Sequence, residues 1–315
     1  MKKINNEIYS LVDEEFLSCF QGKQKEFMEE IYYSEYCSYC NRIKRSPLSQ
    51  TEFFSNMHRR RIQIYQLCCP FCESIFHIVH DKKIQKEAGY KYCPHCGRAS
   101  AVINARNQVF RFVRIHGVNR MGLKQWENEK PGTEKWLLGY DCYQMEIIEL
   151  ASIIEVVFRG YFEALIFIHN SGFSNQYIKK IVSKQTGNDF MNIEKANDNF
   201  KKAFGINIRE HLKQNIWNDL IDIVNLRNMM VHNNGNVDEH FKKTPSYNRC
   251  KEHIVGTLYR LEDKDISIYL QSILDSVAVI TTLYCQKYYQ MRNNVIANYY
   301  FNRNEAENEA NDSKE

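Results

Sequence analysis

The sequence predicts a mainly α-helical protein with a small β domain in its N-terminal half. From residue 140 onward, apolar residues recur at the three- and four-residue intervals that mark the buried face of a helix. Residues 37–124 instead hold seven of the eleven cysteines, together with strand-like runs at 74–79 and 109–115. At 315 residues the chain is long enough for two domains, each with its own core. The ordinary content of hydrophobic (43%) and charged (25%) residues excludes fibrous and wholly disordered classes.

The two ends of the chain differ in their expected order. Residues 1–36 are acidic and predict a helical lead-in, because their apolar side chains follow helical spacing. These side chains are Ile8, Leu11, Val12, Phe16, Leu17 and Phe20. Residues 302–315 are polar and acidic without an apolar anchor, and we expect them to form a disordered tail.

The cysteines of residues 37–124 include two Cys-Pro-x-Cys pairs, Cys69 with Cys72 and Cys93 with Cys96. Each such turn brings two thiolates to one ion while backbone amides bond the sulfur atoms, and two turns complete a tetrahedral site. The sequence therefore predicts a zinc ribbon with a structural Zn²⁺. Four protein ligands leave no open position, so we expect no catalytic metal. The alternative of two disulfides conflicts with the cytoplasmic location expected below.

A third pair, Cys37 and Cys40, has the same spacing but no obvious partner pair. It either binds a second zinc or consists of two reduced thiols beside an aromatic-rich helix. The other ligands of a second site would come from Cys19, His58, Cys68, His77 or His80. We expect Cys68 to be a bystander of the ribbon, and Cys142, Cys250 and Cys285 to be core residues.

The net charge of +4 conceals a basic segment. Residues 37–124 contain 16 Lys and Arg against four acids, which leaves the rest of the chain acidic. Such a segment is typical of proteins that bind polyanions, although a solvated basic face has the same composition. The expected nucleic-acid-binding residues are Arg59, Arg60, Arg61, Arg98, Arg111 and Arg114. RNA, DNA and a protein all remain open as the ligand of the ribbon.

Residues 125–139 contain a Pro-Gly turn among polar side chains and predict a linker. Residues 140–301 then read as a helical domain, interrupted at 247–262 by a pattern typical of a short strand or hairpin. No secretory signal follows Met1, and the apolar region 145–168 is broken by charged residues. These patterns favour a cytoplasmic protein without a membrane partner.

The most informative motif is Arg227-Asn228, followed by His232 and then by Asn234-Gly235. A fixed cation with an acid/base group is the minimum equipment for cleaving RNA without a metal ion. The same Arg-x4-His spacing occurs at Arg111, but there the context predicts a strand. Arg227 falls instead on a helical apolar stripe, where a guanidinium needs a partner or a function. The stripe consists of Ile216, Leu220, Ile223, Val224 and Val231.

Residues 140–300 resemble the HEPN superfamily, whose signature is Arg-x4-6-His with a polar residue, often Asn, directly after the Arg. Arg227, Asn228 and His232 match this signature. The flanking matches are Tyr161-Phe162-Glu163-Ala164-Leu165, Trp217-Asn218-Asp219-Leu220 and Asn233-x-Gly235-x-Val237-Asp238. The similarity is to HEPN proteins of toxin and anti-phage abortive-infection systems.

The resemblance implies an antiparallel helix bundle over residues 140–301 and a metal-independent endoribonuclease that acts as a homodimer. His232 would act as general base or general acid, and Arg227 would hold the phosphate. Asn228 would orient either the imidazole of His232 or the phosphate. Attack by the 2′-hydroxyl would give a 2′,3′-cyclic phosphate. An antitoxin, a regulatory protein or a nucleic acid at the ribbon would restrain or direct the enzyme.

Other interpretations remain open. Glu155 and Arg159 resemble an acid–base pair of some HEPN proteins, but their spacing favours an ordinary intrahelical ion pair. Arg227 could bond helix-end carbonyls in a purely structural role, with His232 beside the helix dipole. The helical domain could also be a non-catalytic nucleic-acid sensor, or a scaffold whose ribbon docks a partner.

Overall fold

A computed structural model describes residues 17–55, 61–83, 91–129, 133–171, 175–249 and 254–302. Helices dominate these residues, and a two-stranded antiparallel sheet is the one sheet among them. In chain order the elements are α1 (Gly22–Arg42), α2 (Gln50–Ser55), β1 (Ile62–Cys68), β2 (Ile75–Asp81), α3 (Ala101–Glu129), α4 (Thr133–His169), α5 (Asn175–Thr186), α6 (Ile193–Phe204), α7 (Gln214–Asn233), α8 (Pro245–Arg249) and α9 (Asp263–Ala297). Short 3₁₀ turns lie at Asp189–Met191, Ile208–His211 and Phe241–Lys243, and a π-helical turn at Asn298–Asn302 follows α9.

The chain forms two compact units. The hairpin unit comprises Met1–Ser100, Ala164–Ile178 and Tyr284–Glu315, and the bundle unit comprises Ala101–Glu163 and Lys179–Leu283. The long helices α4 and α9 therefore contribute residues to both units. This division does not coincide with the boundaries that composition suggests, at 36, 124, 139 and 301.

The core of the hairpin unit forms between α1 and one face of the sheet. β1 and β2 pair in a register that runs from Ile62 opposite Asp81 to Cys68 opposite Ile75. Because side chains alternate across a strand, every second residue of β1 points to the same face. On that face Ile62 and Ile64 pack against α1. The buried cluster consists of Leu17, Phe20, Met28, Tyr32, Tyr36, Cys40, Phe53, Ile62, Ile64 and Ile296.

The edge of β1 that does not face β2 is closed by side chains of α9. The Cys68 amide donates to Tyr288 Oη over 3.3 Å, and the Tyr288 hydroxyl donates to the Cys68 carbonyl. Four residues further along α9, Arg292 Nη1 donates to the Gln66 carbonyl over 2.7 Å. Arg292 is fully buried. A strand edge with unpaired backbone groups is thus satisfied from within the chain.

Four long helices organise the bundle unit. α3 and α4 are antiparallel, because Arg111 contacts Glu149 while Asn119, further along α3, donates to Glu146. α4 and α9 meet through a 2.7 Å hydrogen bond between the hydroxyls of Tyr161 and Thr281. α7 reaches α9 through Ser272, which donates to Asp219 over 2.6 Å.

Aromatic packing fixes the shorter helices of this unit. Phe162 of α4 lies 5.2 to 5.4 Å, between ring centroids, from three other Phe rings, Phe190, Phe200 and Phe204. Phe200 and Phe204 share a face of α6 because residues four apart lie on the same side of a helix. This face carries the apolar core contacts of α6.

The run at 109–115, which the sequence predicts as a strand, is part of α3, so this prediction is wrong. Ala105, Val109, Phe112 and His116 are buried at helical intervals, whereas Arg111 is exposed. The alternating pattern of seven residues coincides with one stripe of a longer helix. In contrast, the strand expected at 74–79 is found as β2.

Two further expectations need correction within the described residues. Residues 125–129 and 133–139, expected as a linker, belong to the end of α3 and the beginning of α4. The sequence predicts a short strand or hairpin at residues 247–262. Residues 245–249 instead form the short helix α8, and residues 254–262 contain only an isolated β-bridge, from Leu258 to Asn236. The first 16 residues of the lead-in and residues 303–315 of the tail lie outside the described residues. The described part of the lead-in includes most of α1, which continues to Arg42.

One helical stretch, Asp263–Phe301, is long and apolar enough to cross a membrane by length and composition alone. Its most apolar 18-residue window is 44% buried inside the protein. A core helix has the same features.

Candidate active site and candidate metal centre

Arg227, Asn228 and His232 lie in the last two turns of α7. The preceding turns are fixed in the core by Ile216, Leu220 and Ile223, which are all buried. Arg227 and Asn228 are half-buried, and His232 is exposed. The motif therefore stands at the end of a rigid helix with its imidazole open to solvent. The sequence predicts Val231 on the buried stripe of α7. This prediction is wrong, because 45% of the surface of Val231 is exposed.

The guanidinium of Arg227 donates from Nη1 to Asn228 Oδ1 over 3.0 Å. Among the described residues it forms no ion pair with a carboxylate and no hydrogen bond to a helix-end carbonyl. Asn228 thus holds the guanidinium without neutralising it. A cation in this state keeps its capacity to bind a phosphate through two parallel hydrogen bonds.

The helix ends immediately after the motif. Asn234 (φ 49°) and Gly235 (φ 76°) both adopt left-handed backbone conformations, as the Asn-Gly stop signal predicts. Gly235 is required for a second reason, because a Cβ there would lie 1.8 Å from Tyr140 Oη. Tyr140 and, one turn later, Gln144 line this end of α7, and Gln144 Nε2 donates to the Met230 carbonyl over 3.4 Å.

Tyr140 is the neighbour of the motif that sequence reasoning missed. It is 6% exposed, stacks on Trp136, and its hydroxyl is buried without a hydrogen-bond partner among the described residues. Burial, together with the nearby Asp141 carboxylate, raises the pKa of Tyr140. The only sequence signal would have been that Trp136, Tyr140 and Gln144 share one helical face, which does not point to any particular partner.

The residue types of the motif permit acid–base chemistry at a phosphate. Within one chain, however, the side chains of Arg227 and His232 do not converge on one point. Residues five apart on a helix point about 140° apart and are separated by about 7.5 Å along the axis. Arg227 and His232 of one chain therefore face different directions, unless a second copy or the substrate bridges them.

The other Arg-x4-His pair has a different environment. His116 is buried, stacks on Phe112 and shares a 3.0 Å hydrogen bond between its Nδ1 and Glu146 Oε2. Asn119 donates to the other oxygen of Glu146 over 2.8 Å. This buried group joins α3 to α4 and has no exposed acid/base atom, so it is structural.

Glu155 and Arg159 form an ion pair of 3.0 Å within α4, and Arg159 also lies over the ring of Phe190. Both side chains are partly exposed. The arrangement is the ordinary i,i+4 pair that the spacing favours, worth about 0.3–0.5 kcal/mol.

The four cysteines expected to bind metal are brought together in the hairpin unit. The sulfur atoms of Cys69, Cys72, Cys93 and Cys96 all lie within 4.8 Å of one another. Two of the separations are 3.8 Å (Cys69 to Cys96) and 3.7 Å (Cys72 to Cys93). A tetrahedron with metal–sulfur bonds of about 2.3 Å has edges of about 3.8 Å, so the donor set and its geometry fit a metal ion such as zinc.

The two Cys-Pro-x-Cys turns of this candidate site, which we call the metal-binding turns, have the same backbone geometry. The amide of the residue after the second cysteine donates to the carbonyl of the first cysteine over 2.9 Å, from Glu73 to Cys69 and from Gly97 to Cys93. Both donors have positive φ, 59° for Glu73 and 69° for Gly97. Glu73 therefore occupies a position that normally favours glycine.

Electrostatics at the cluster differ from one thiol to the next. Burial disfavours the Cys72 thiolate, but hydrogen bonds from the Ser74 side chain and backbone lower its pKa to about 7. Burial raises the pKa of Cys69 and of Cys96. The Cys72 thiol is thus close to ionisation at neutral pH, whereas Cys69 and Cys96 would need a bound metal ion to become thiolates.

Within the hairpin unit, the first metal-binding turn packs through Phe71 on Phe167 of α4, with ring centroids 5.8 Å apart. Arg98 lies over the other side of Phe71, 5.2 Å from the ring centroid. The metal-binding turn is therefore fixed to a helix rather than projecting freely.

Cys37 and Cys40 belong to no second cluster of potential ligands within the part of the chain that the structure describes. Among the described residues, the four-cysteine group is the one set of three or more potential ligands placed to hold a metal ion. Cys40 is a residue of α1 that is fully buried in the core, and Cys37 packs against that core. His58 and Cys250 lie outside the described residues. Cys68 is a bystander, since it is buried and the pKa of its thiol is raised to about 12 by burial and by Glu73.

The predicted nucleic-acid-binding residues that the structure describes are divided between the two units. Arg59 and Arg60 lie outside the described residues. Arg61 forms a bidentate ion pair with Asp81, Arg98 lies over Phe71, and Arg111 contacts Glu149 at 3.4 Å. Arg114 is exposed on α3. Arg111 and Arg114 belong to the bundle unit, whereas Arg61 and Arg98 belong to the hairpin unit.

Comparison of the chain with protein-family models, with curated proteins and with solved structures finds no match.

Proposed function

We propose that the protein is a metal-independent endoribonuclease of the HEPN type, with Arg227, Asn228 and His232 as its catalytic residues. The observation that carries the proposal is the state of Arg227, a half-buried cation held by Asn228 and not neutralised by a carboxylate of the described chain. A guanidinium with a purely structural role would be expected to bond carbonyl groups or acids.

In the proposed reaction, the 2′-hydroxyl of RNA attacks the adjacent phosphate and its proton passes to an imidazole, His232. The charge that builds on the phosphate oxygens is stabilised by Arg227. Return of this proton from the imidazolium to the departing 5′-oxygen completes the step, breaks the bond between phosphorus and the 5′-oxygen, and leaves a 2′,3′-cyclic phosphate and a 5′-hydroxyl.

The divergence of Arg227 and His232 on one helix favours a site shared by two chains. We therefore propose a homodimer in which the imidazole of one chain works with the guanidinium of the other. Zinc is the metal we propose for the four-cysteine site, where it would hold the two turns together and take no part in the chemistry. A role in toxin or anti-phage defence, with a restraining antitoxin or regulatory partner, follows from the HEPN resemblance.

The test is cleavage of RNA by the full-length chain in the presence of a chelator mild enough to leave the four-cysteine site loaded. RNA should be cut, and an oligonucleotide with 2′-deoxyribose at the cleaved nucleotide should be inert because it lacks the nucleophile. His232→Ala should lower the rate by at least about 100-fold, since general acid–base catalysis contributes about 10²–10⁴-fold. Arg227→Ala should have an effect of similar size, since loss of one donor to the developing charge costs about 10²–10³-fold. Asn228→Ala should be milder.

The matched control is His211→Ala, which removes another exposed histidine of the bundle unit. It should cut at the wild-type rate. Retained activity in both motif variants, or a requirement for added magnesium, would rule out the proposed mechanism. Loss of several kcal/mol of stability in Arg227→Ala would instead support a structural guanidinium.

A further inference from the structure

Six cations gather where the end of α1 meets the open end of the β1–β2 hairpin. We call this group the basic surface. It consists of Arg42, Lys44, Arg45, Arg61, Lys82 and Lys83. All of these residues belong to the hairpin unit.

Backbone and side-chain contacts hold the hairpin side of this surface together. Arg61 binds Asp81 through two hydrogen bonds of 2.7 Å, and Asp81 is 2% exposed. The Lys82 amide donates to the Arg61 carbonyl over 3.0 Å, and the Lys83 amide donates to Asp81 Oδ1 over 2.9 Å. Asp81 therefore orders the hairpin end, while the cations around it face outward.

α1 packs beside the strands that carry this carboxylate. Tyr32 of α1 lies 6.0 Å from His77 of β2 between ring centroids, and Glu35 Oε1 lies 3.8 Å from His77 Nδ1. Further along α1, Cys40 belongs to the same buried cluster as Ile62, the residue that pairs with Asp81. The hydrogen bonds from Arg61 are the main reason why the pKa of Asp81 is lowered, and the charge of Arg45 adds to the effect. Arg42 lies over the ring of Tyr39, 5.2 Å from its centroid. Among the described residues Arg42, Lys44 and Arg45 form no ion pair with a carboxylate. The next acid along the chain, Glu52 of α2, accepts hydrogen bonds from the amide and the hydroxyl of Ser49.

At the end of α1 a charged residue, Lys44, occupies a backbone position that is unfavourable for it. The helix ends in a Schellman motif, in which the Lys44 amide donates to the Asn41 carbonyl and the Arg45 amide donates to the Cys40 carbonyl. Lys44 holds the left-handed position of this motif with φ 53°, where glycine or asparagine is strongly preferred. A lysine at that position is conformationally costly, and no carboxylate of the described residues pairs with it to offset the cost.

Helix capping alone does not explain so many cations. The carboxyl end of a helix carries about half a negative charge, for which one basic side chain suffices. Asp81 neutralises one further cation, Arg61. The six cations and Asp81 together keep a net positive charge, and the surface includes one aromatic side chain, the partly buried Tyr39 under Arg42.

We propose that the basic surface binds the phosphate backbone of single-stranded RNA, with a base stacking on the Tyr39–Arg42 pair. Basic grooves with interleaved aromatic or guanidinium planes are the usual means of holding a single strand without reading its sequence. The identity of the polyanion as RNA rests on the proposed function. The surface is distinct from Arg227 and His232, which lie in the bundle unit.

The experiment measures fluorescence anisotropy of a labelled oligouridylate with the full-length zinc-loaded chain carrying His232→Ala, so that no RNA is cut. Into this parent we introduce Lys44→Gly, Arg45→Ser and Lys83→Ser together. Binding should weaken at least about tenfold, and the slope of log affinity against log salt should fall by about 2, because each lost phosphate contact on a single strand contributes about 0.7. Arg61 is left in place because it orders Asp81.

The matched control replaces three exposed lysines of the bundle unit, Lys179→Ser, Lys180→Ser and Lys201→Ser, which changes the net charge equally. It should bind like the parent. Lys44→Gly alone is the safeguard against a folding defect, since it relieves the left-handed strain and should keep or raise the melting temperature while still weakening binding.

Equal loss in the control, binding of the triple variant within about twofold of the parent, or no binding by the parent at low salt would overturn the proposal. So would binding to phosphatidylserine vesicles without binding to the oligouridylate. Because cleavage is not measured, dependence of binding on the basic surface would stand even if His232 proved not to be catalytic.

Discussion

The absence of a side chain at Gly235 allows Tyr140 of α4 to approach the end of α7 closely. Its φ of 76° and the 1.8 Å separation between its prospective Cβ and Tyr140 Oη make any larger residue both strained and overpacked. The turn that follows the candidate catalytic histidine is thus constrained both by its backbone conformation and by the packing of Tyr140.

We expect Gly235→Ala to lower the free energy of unfolding by about 2–4 kcal/mol, from left-handed strain and overpacking combined. Tyr140→Phe alone should be nearly neutral, because the hydroxyl it removes is buried without a partner among the described residues. In the double variant, loss of this hydroxyl would relieve the steric part, since the next atom of the ring, Tyr140 Cζ, lies 3.1 Å from the prospective Cβ. Urea denaturation of all four proteins gives the coupling, and strictly additive effects would contradict the steric explanation.

At this scale the sequence predicted which four cysteines come together, and it predicted the left-handed helix end, because both depend on local spacing. It did not predict the exposure of Val231 or the approach of Tyr140. Both depend on how α4 packs along α7, and the spacing of one helix does not specify which neighbour covers each of its faces.

Among the elements, the two metal-binding turns invite comparison because their backbones match while their residues differ. Gly97 occupies the left-handed position of one turn without strain, and Glu73 occupies the same position in the other at a cost of about 1–2 kcal/mol. The first turn is thus the weaker half of the site.

Metal analysis of the dialysed protein should give one zinc per chain. Glu73→Gly should keep that ratio and slow the loss of zinc to a strong chelator, because relief of strain stabilises the loaded turn. Gly97→Glu, which places the same side chain at the matching position, should speed the loss. A metal ratio near zero in folded protein, or the same rate of loss in both variants, would contradict this account of the site.

The element level is also where the sequence was least reliable. Residues 109–115 alternate like a strand, but the longer stripe of Ala105, Val109, Phe112 and His116 determines the structure as helix. β1 was not predicted, because Gln63 and Gln66 interrupt its apolar pattern. Gln66 is nevertheless fully buried and donates to Tyr300 over 2.9 Å, a contact between residues far apart in sequence.

For the whole molecule, the decisive question is how many chains make one active site. If the guanidinium and the imidazole act in trans, full-length Arg227→Ala and His232→Ala proteins should each be inactive alone. Mixing them after exchange of subunits should restore part of the activity, because a mixed dimer contains one complete pair. Light scattering should show two chains. A monomer with full activity, or a mixture that stays inactive while subunits exchange, would exclude a shared site.

The hairpin unit draws its residues from three separate stretches of the chain, and this limits how the protein can be divided. A fragment that begins near residue 140 keeps Tyr288, Arg292 and Ile296 but loses β1, to which these side chains are bound. Such a fragment would expose a guanidinium and apolar side chains that are covered in the full chain, and it would be prone to aggregate. Limited proteolysis should accordingly nick the chain without releasing an independent C-terminal half.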